Sequence, residues 1–285
     1  MKTTMKATIS FARPLVQASL AAVASLALSQ AAWADRLDDI KSAGVLRVAA
    51  FDGNPPFGYI DATSKKQVGH DIDLATEFAK SLGVKLEITP TNPANRIPLL
   101  TSGKVDVVFA SFTITDERAK VVDFSTPYFL VGQQFLARKG LLKDASQIKD
   151  LRIGTEKGTT METNLRNNYP DVKVVLYDDS PFALAALRNG NVQAITNDGV
   201  KLTAQWGTLP DKEKYEIPAI TVSKEYLGAA VPKGEARLLG ALNTWLGEIE
   251  RNGRAVAIYD TWFGPTSKAP LPRLLKIGDP KVAAN

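Results

Sequence analysis

Apolar and polar positions along the chain change period at regular intervals. Residues 45–50 form a short apolar run that predicts a buried strand, followed by the turn-rich loop DGNPPFG. Over residues 69–83 the apolar positions Ile72, Leu74, Ala75, Phe78, Ala79 and Leu82 fall at helical spacing, with Gly83 placed to close the helix. Residues 84–90 alternate as a strand, NRIPLLTSG opens a short helix, and 104–110 is again a strand. Strand, helix, strand, helix, strand implies the α/β class with a largely parallel sheet.

The pattern then restarts. Residues 151–170 read as strand, glycine turn and helix. They are followed by a strand at 172–179, a helix at 180–190 and a strand at 192–198. The segment 239–264 is helical, with a break near Asn252 and Gly253. Two α/β units in series imply two lobes. The apolar stretches STPYFLVGQQFLARK and YLGAAVPKG flank the second unit and are placed to cross between the lobes. A ligand would then sit in the cleft beyond the carboxyl ends of the strands.

Composition changes this picture at one end. Lys2, Lys6 and Arg13 precede an alanine- and leucine-rich run, and Ala32 and Ala34 offer small residues before a cleavage point. This is the pattern of a secretory signal peptide over residues 1–34, and polar residues within the run fit removal better than a membrane anchor. Its loss lowers the formal charge from +5 to +2, because those three basic residues leave with it. No basic stripe points to nucleic acid. The chain has no cysteine, which excludes disulfides, thiolate metal sites, a cysteine nucleophile and a lipidated cysteine. An exported chain without cysteine fits a bacterial periplasm. The single histidine, His70, starts a helix and is expected to face solvent. One histidine makes neither a typical zinc site nor a histidine-based serine triad, and no Walker or dinucleotide fingerprint occurs, so no metal, cofactor or catalytic residue is implied.

Several polar residues stand where the predicted strands end. Thr115 is a natural N-cap, with Asp116 and Glu117 in the first helical turn, yet Arg118 follows at the helix end that repels cations. It is either a surface residue paired with those acids or a fork for an anion held at the helix start. Ser111 and Thr113 serve either local turn bonding or a ligand. Thr159 and Glu162 have capping-box spacing, and Gly158 permits a close backbone approach. Asp198 before Gly199 is either a turn residue or a cleft carboxylate.

In their order and spacing, GHDIDLATEFAKSLG, SFTITDERAKVVDFSTPYF, GTT and IYDTWFG resemble the periplasmic polar-amino-acid-binding proteins of ABC importers, the family 3 extracellular solute-binding proteins. The resemblance covers nearly the whole chain after residue 34. It implies a two-lobed periplasmic-binding-protein (Venus-flytrap) fold of type II with two crossing hinge strands. Residues 35–127 and 228–285 would form lobe one, 132–222 lobe two, and 128–131 and 223–227 the hinge.

By the same resemblance, Arg118, Thr113, Thr159 and Thr160 hold a ligand α-carboxylate, while Asp198 and the Ser111 carbonyl hold its ammonium. Arg96, in ANRIPLL, is similar to a residue of the glutamate/aspartate-binding branch that faces an acidic side chain. That branch carries further basic residues where this chain has Phe51 and Ser180. Glu156 faces the ligand side chain, where it would repel an acid or pair with Arg96. Relatives place an aromatic against the ligand near the positions of Asn54 or Pro93; here Asn54 is expected among the ligand-binding residues, and Phe51 or Phe57 is left for the aromatic contact.

The resemblance implies a monomer that captures a polar amino acid, with glutamate, aspartate or their amides favoured, and delivers it to a permease and ATPase. The alternatives on the same fold are a periplasmic dehydratase-like enzyme using Glu156, or a ligand-sensing partner of a membrane receptor.

Overall fold

The computed structural model describes residues 35–279, so the expected signal peptide lies outside the described residues. The described residues open with α1 (Arg36–Ala43), β1 (Val45–Phe51) and a small hairpin array of β2 (Gly53–Asn54), β3 (Gly58–Ile60) and β4 (Gln67–Val68). Next come α2 (His70–Ser81), β5 (Lys85–Thr91), α3 (Arg96–Thr101), β6 (Val107–Val108), the single turn α4 (Asp116–Ala119) and β7 (Val122–Phe124). The chain crosses on β8 (Phe129–Val131) and continues through β9 (Gln133–Arg138), β10 (Arg152–Glu156), α5 (Thr160–Asn168) and β11 (Lys173–Tyr177). After α6 (Ser180–Arg188), β12 (Ala194–Asp198), α7 (Gly199–Gly207) and β13 (Tyr215–Glu216), it returns on β14 (Glu225–Leu227). It ends with β15 (Ala230–Pro232), α8 (Ala236–Arg251) and α9 (Arg254–Phe263). No helix among the described residues is long and apolar enough to cross a membrane.

Two five-stranded sheets result, ordered β5-β1-β6-β15-β7 and β11-β10-β12-β9-β13. Within each, three neighbouring strands are parallel, in register Val48 to Ile88 and to Val107 in the first, and Ile153 to Val174 and to Ala194 in the second. The strand that runs against its neighbours is β15 in the first sheet and β9 in the second, each the continuation of a crossing segment. The crossings β8 and β14 pair antiparallel, Leu130 opposite Tyr226. Each sheet with its helices is one lobe of the two-lobed α/β fold.

Burial explains the elements. The apolar stripe of α2 and the inner face of α8 cover β1 with Phe78, Leu242 and Leu246, and each such side chain contributes roughly 1.5–3 kcal/mol on leaving water. In the second lobe Phe135 and Ile153 fill one face, Leu136 and Ile195 the other, so these strands are apolar on both sides. Between α8 and α9 the chain turns at Gly253 with φ +80°, a left-handed value that glycine tolerates, at the break legible in the sequence.

Three expectations need correction. His70 does not face solvent; it is 3% exposed. The first turn of α2 packs under α9, which sets the imidazole among Phe57, Phe129, Tyr259 and Phe263 at centroid distances of 5.4–6.4 Å. The ladder of β6 is shorter than the strand expected over 104–110, because Val107–Val108 alone pair while the flanking residues bend into the turn and the cleft loop. The helix α7 follows Asp198 directly, where the residues alone favour a turn before Gly199.

Candidate functional site

The carboxyl ends of β1 and β6 in one lobe face those of β10 and β12 in the other. Between them lies a cavity of only about 10 Å³, room for roughly one water. Eight of the ten residues expected to bind ligand line it, from Phe51 and Arg96 to Thr160 and Asp198. Asn54 and Glu156 do not.

The first-lobe wall is built on a strained turn. Ser111 has φ +45°, unusual for a residue with a side chain, and its N–H donates to Asp71 Oδ2 at 2.6 Å. Tyr128 donates its hydroxyl to the other oxygen of Asp71 at 3.0 Å, which fixes the carboxylate. The turn aims the Ala110 and Ser111 carbonyls at Arg96, whose Nη1 donates to both at 3.1 Å while Nε donates to Pro93 O at 3.0 Å. Arg118 donates through Nη1 to Thr113 O at 2.7 Å. The Thr115 hydroxyl caps the short helix, accepting from Arg118 N at 3.2 Å. Both guanidinium groups lie over the Phe112 ring, at 4.4 and 4.8 Å from its centroid.

Both also reach across the cleft. Arg96 Nη2 and Arg118 Nη2 donate to the Gly158 carbonyl at 3.3 and 3.0 Å. Gly158 sits at φ +74°, and a side-chain carbon there would meet Ala94 Cα at 2.9 Å, so a glycine is required for the two walls to touch. Its N–H donates to Glu162 Oε2 at 3.0 Å, and Glu162 N–H donates to the Thr159 hydroxyl at 3.3 Å. The expected capping box therefore forms with its return bond shifted one residue, to Gly158.

Neither guanidinium forms an ion pair among the described residues. Burial lowers the Arg96 pKa to about 9, and repulsion from Arg118 adds to the effect. Burial lowers that of Arg118 to about 10, against the attraction of Glu225 and Asp198. A buried and a half-buried cation, neither with an ion-pair partner, form a site that favours an anion.

The second-lobe wall carries the opposite charge. Asp198, 2% exposed, ends β12; its Oδ2 pairs with Lys201 Nζ at 3.1 Å and accepts from the Ser111 hydroxyl at 3.4 Å. Its Oδ1 is buried with no hydrogen-bond partner among the described residues. Burial raises the Asp198 pKa, with Lys201 opposing. Glu156 lies behind the lining: Oε1 accepts from Asn197 Nδ2 at 2.5 Å and Oε2 is likewise without a partner. Burial raises its pKa too. Of the two readings of Glu156, the pair with Arg96 is not present here, the Arg96 donors being taken by main-chain carbonyls. Asn54 instead bridges the lobes away from the cavity, donating to Asp179 Oδ1 at 3.2 Å. Phe51 lines the cavity, whereas Phe57 belongs to the core behind it.

Glu225, on the return crossing, was not legible as a site residue. Its Oε2 accepts from the Thr113 hydroxyl of one lobe at 2.9 Å and the Thr160 hydroxyl of the other at 2.5 Å, and Ser223 donates to Oε1 at 2.7 Å. The two threonines expected on a ligand carboxylate thus hold a carboxylate of the protein itself. In sequence Glu225 is an ordinary polar residue before a strand; only the pairing of β14 with β8 places it between the lobes. Lys201 was missed for a similar reason: it reads as a solvated helix lysine, but is 5% exposed.

Comparison with known proteins places this geometry. Residues 46–265 match the model of bacterial extracellular solute-binding proteins, family 3. The chain is 33% identical over 249 residues to an L-cystine-binding protein of Escherichia coli strain K12, covering 86% of this chain and 92% of that one. Among solved structures, an ancestral arginine-binding protein bound to glutamine is 40% identical with a TM-score of 0.74, covering 78% of this chain and 98% of that one. A cysteine-binding protein from Campylobacter jejuni is 32% identical with a TM-score of 0.76, covering 82% and 97%. The two-lobed fold, the cleft between the strand ends and the sequence match agree: the chain belongs to the family 3 bacterial extracellular solute-binding proteins.

Proposed function

We propose that the protein captures a polar L-amino acid between its lobes in the periplasm and delivers it to the permease and ATPase of an ABC importer. One observation carries the reading. Arg118 without a counter-ion and Asp198 with an unpartnered oxygen line a single cavity from opposite lobes. That is the charge pattern of a zwitterion, with the α-carboxylate at Arg118 and the ammonium at Asp198 Oδ1. Relatives named for cystine, cysteine and arginine support the class of ligand. Arg96, buried, spends its donors on the carbonyls of Pro93, Ala110, Ser111 and, across the cleft, Gly158, so its part is to hold the turn and add positive potential. The side chain lies toward Phe51 and Lys201, a setting suited to glutamate, aspartate or their amides.

A cavity for about one water cannot admit an amino acid, so entry requires the lobes to part at the crossings β8 and β14. The ligand then favours closure by bridging the walls. Shifting the equilibrium from 1:99 to 99:1 takes about 5.5 kcal/mol, which two charge-assisted anchors of roughly 1.5–3 kcal/mol each can supply. Calorimetric titration with the common amino acids tests the reading. At least one polar amino acid should bind, and Arg118→Ala should weaken it by about a hundredfold or more with an unchanged circular-dichroism spectrum. Undiminished affinity in that variant removes the assignment of the anion site.

A further inference from the structure

The cleft holds a third cation that the zwitterion does not explain. Lys201 lies in the first turn of α7, where a positive charge opposes the helix dipole. Burying an ammonium there is costly unless something holds it. What holds it is specific: Asp198 Oδ2 at 3.1 Å, with the Phe51 and Phe57 ring centroids at 5.4 and 5.7 Å. The ammonium lines the same cavity as Arg118 and Asp198. It takes only one oxygen of Asp198, leaving the other open.

We propose that Lys201 is a specificity-determining residue of this cleft, a tethered cation that admits neutral and acidic side chains and turns away amino acids whose side chains are cationic. The inference rests on the amino-acid-binding reading above. Its physical content is a charge count on one wall. Asp198 and Glu156 are two buried carboxyl groups, each with an unpartnered oxygen. Without Lys201 they would form a negative pocket beside the ligand, suited to a guanidinium or a second ammonium. Lys201 acts electrostatically on both acids, and burial already raises their pKa values. With it in place, a basic side chain meets a like charge, while Asp198 is shared between Lys201 and the ligand's own ammonium. Discrimination then comes from a repulsive element built into the site, alongside the attractive one at the ligand's head groups.

The test compares two size-matched pairs by calorimetry at pH 7: glutamine with ornithine, and citrulline with arginine. In the wild-type chain the neutral member should bind about tenfold or more tightly than the cationic one, the cost of a like charge in a partly desolvated site. In Lys201→Met the affinity for ornithine or arginine should rise at least about tenfold. Lys201→Gln, which keeps a polar donor, should show the same gain and serves if the methionine variant does not fold. Wild-type protein that binds the cationic members as tightly as the neutral ones overturns the role, and so do folded variants in which cationic ligands gain nothing. A wild-type chain that binds no amino acid overturns the underlying function as well, so the two failures are told apart.

Discussion

Asp71 shows how one residue outside the cavity lining can set the geometry of a wall. Its carboxylate is 1% exposed and takes the Ser111 N–H and the Tyr128 hydroxyl, one on each oxygen. That pair of bonds offsets the cost of holding Ser111 in the left-handed region, and the turn in turn presents the carbonyls that fix Arg96. Asp71→Asn keeps the shape but replaces one acceptor by an NH₂ donor, so one of the two bonds is lost. The expected loss is about 1–3 kcal/mol of unfolding free energy by urea denaturation, together with weaker ligand binding as Arg96 loosens. Unchanged stability and affinity would mean that the turn holds its conformation without this anchor. The residue is a helix-start acid in the sequence, where the helix dipole already accounts for it, so its reach to Ser111 could not be read there.

At the scale of elements, the strands and helices that position the site were legible because their apolar periods are clean. The period-2 run of β5, the 3.6-residue stripe of α2 and the buried runs of β1 and β12 each sit within one or two residues of expectation. α1 and α7 were not legible, the first because it is short and mostly polar, the second because NDG reads equally as a turn. The lining of the cleft cavity was legible where motif and strand end coincide, at Ser111, Thr113, Arg118 and Asp198. It was not legible where long-range pairing does the placing, as for Glu225 and Lys201. Gly158 lies between these cases: the sequence marks a turn, but only the structure shows that the turn touches Ala94 of the opposite lobe. Gly158→Ala places a methyl 2.9 Å from that backbone at a positive φ. The carbonyl that receives both guanidinium groups must then move. Thermal unfolding should show a modest loss, about 1 kcal/mol for the conformation alone, while closure is impaired more strongly. Small-angle scattering should therefore show a smaller contraction on adding ligand than in the wild type, and an identical contraction would count against this contact as part of the closed interface.

Considered as a whole molecule, two lobes meet across a seam of buried charge, and the pH response of that seam has a definite sign. Burial raises the pKa of Asp198, Glu156 and Asp179 above their ordinary values. For each, the folded chain holds its proton more tightly than the unfolded chain. The contribution of these groups to stability is therefore complete below the ordinary carboxylate pKa and is lost as pH rises toward the raised value. On the proposed reading, ligand binding follows the reverse course. An ammonium needs Asp198 ionised, so acidification removes its partner, and the loss begins above pH 3.8, the ordinary aspartate value. A bound amino acid should therefore weaken as acidification approaches the ordinary carboxylate range. Its deaminated analogue, carrying the same carboxylate but no amine, should change less, because Arg118 stays charged throughout with a pKa of about 10. In Asp198→Asn the pH dependence of the amino acid should collapse onto that of the analogue. Calorimetry of the two ligands at several pH values measures the difference directly, and parallel curves in the wild-type protein would place the ammonium somewhere other than Asp198.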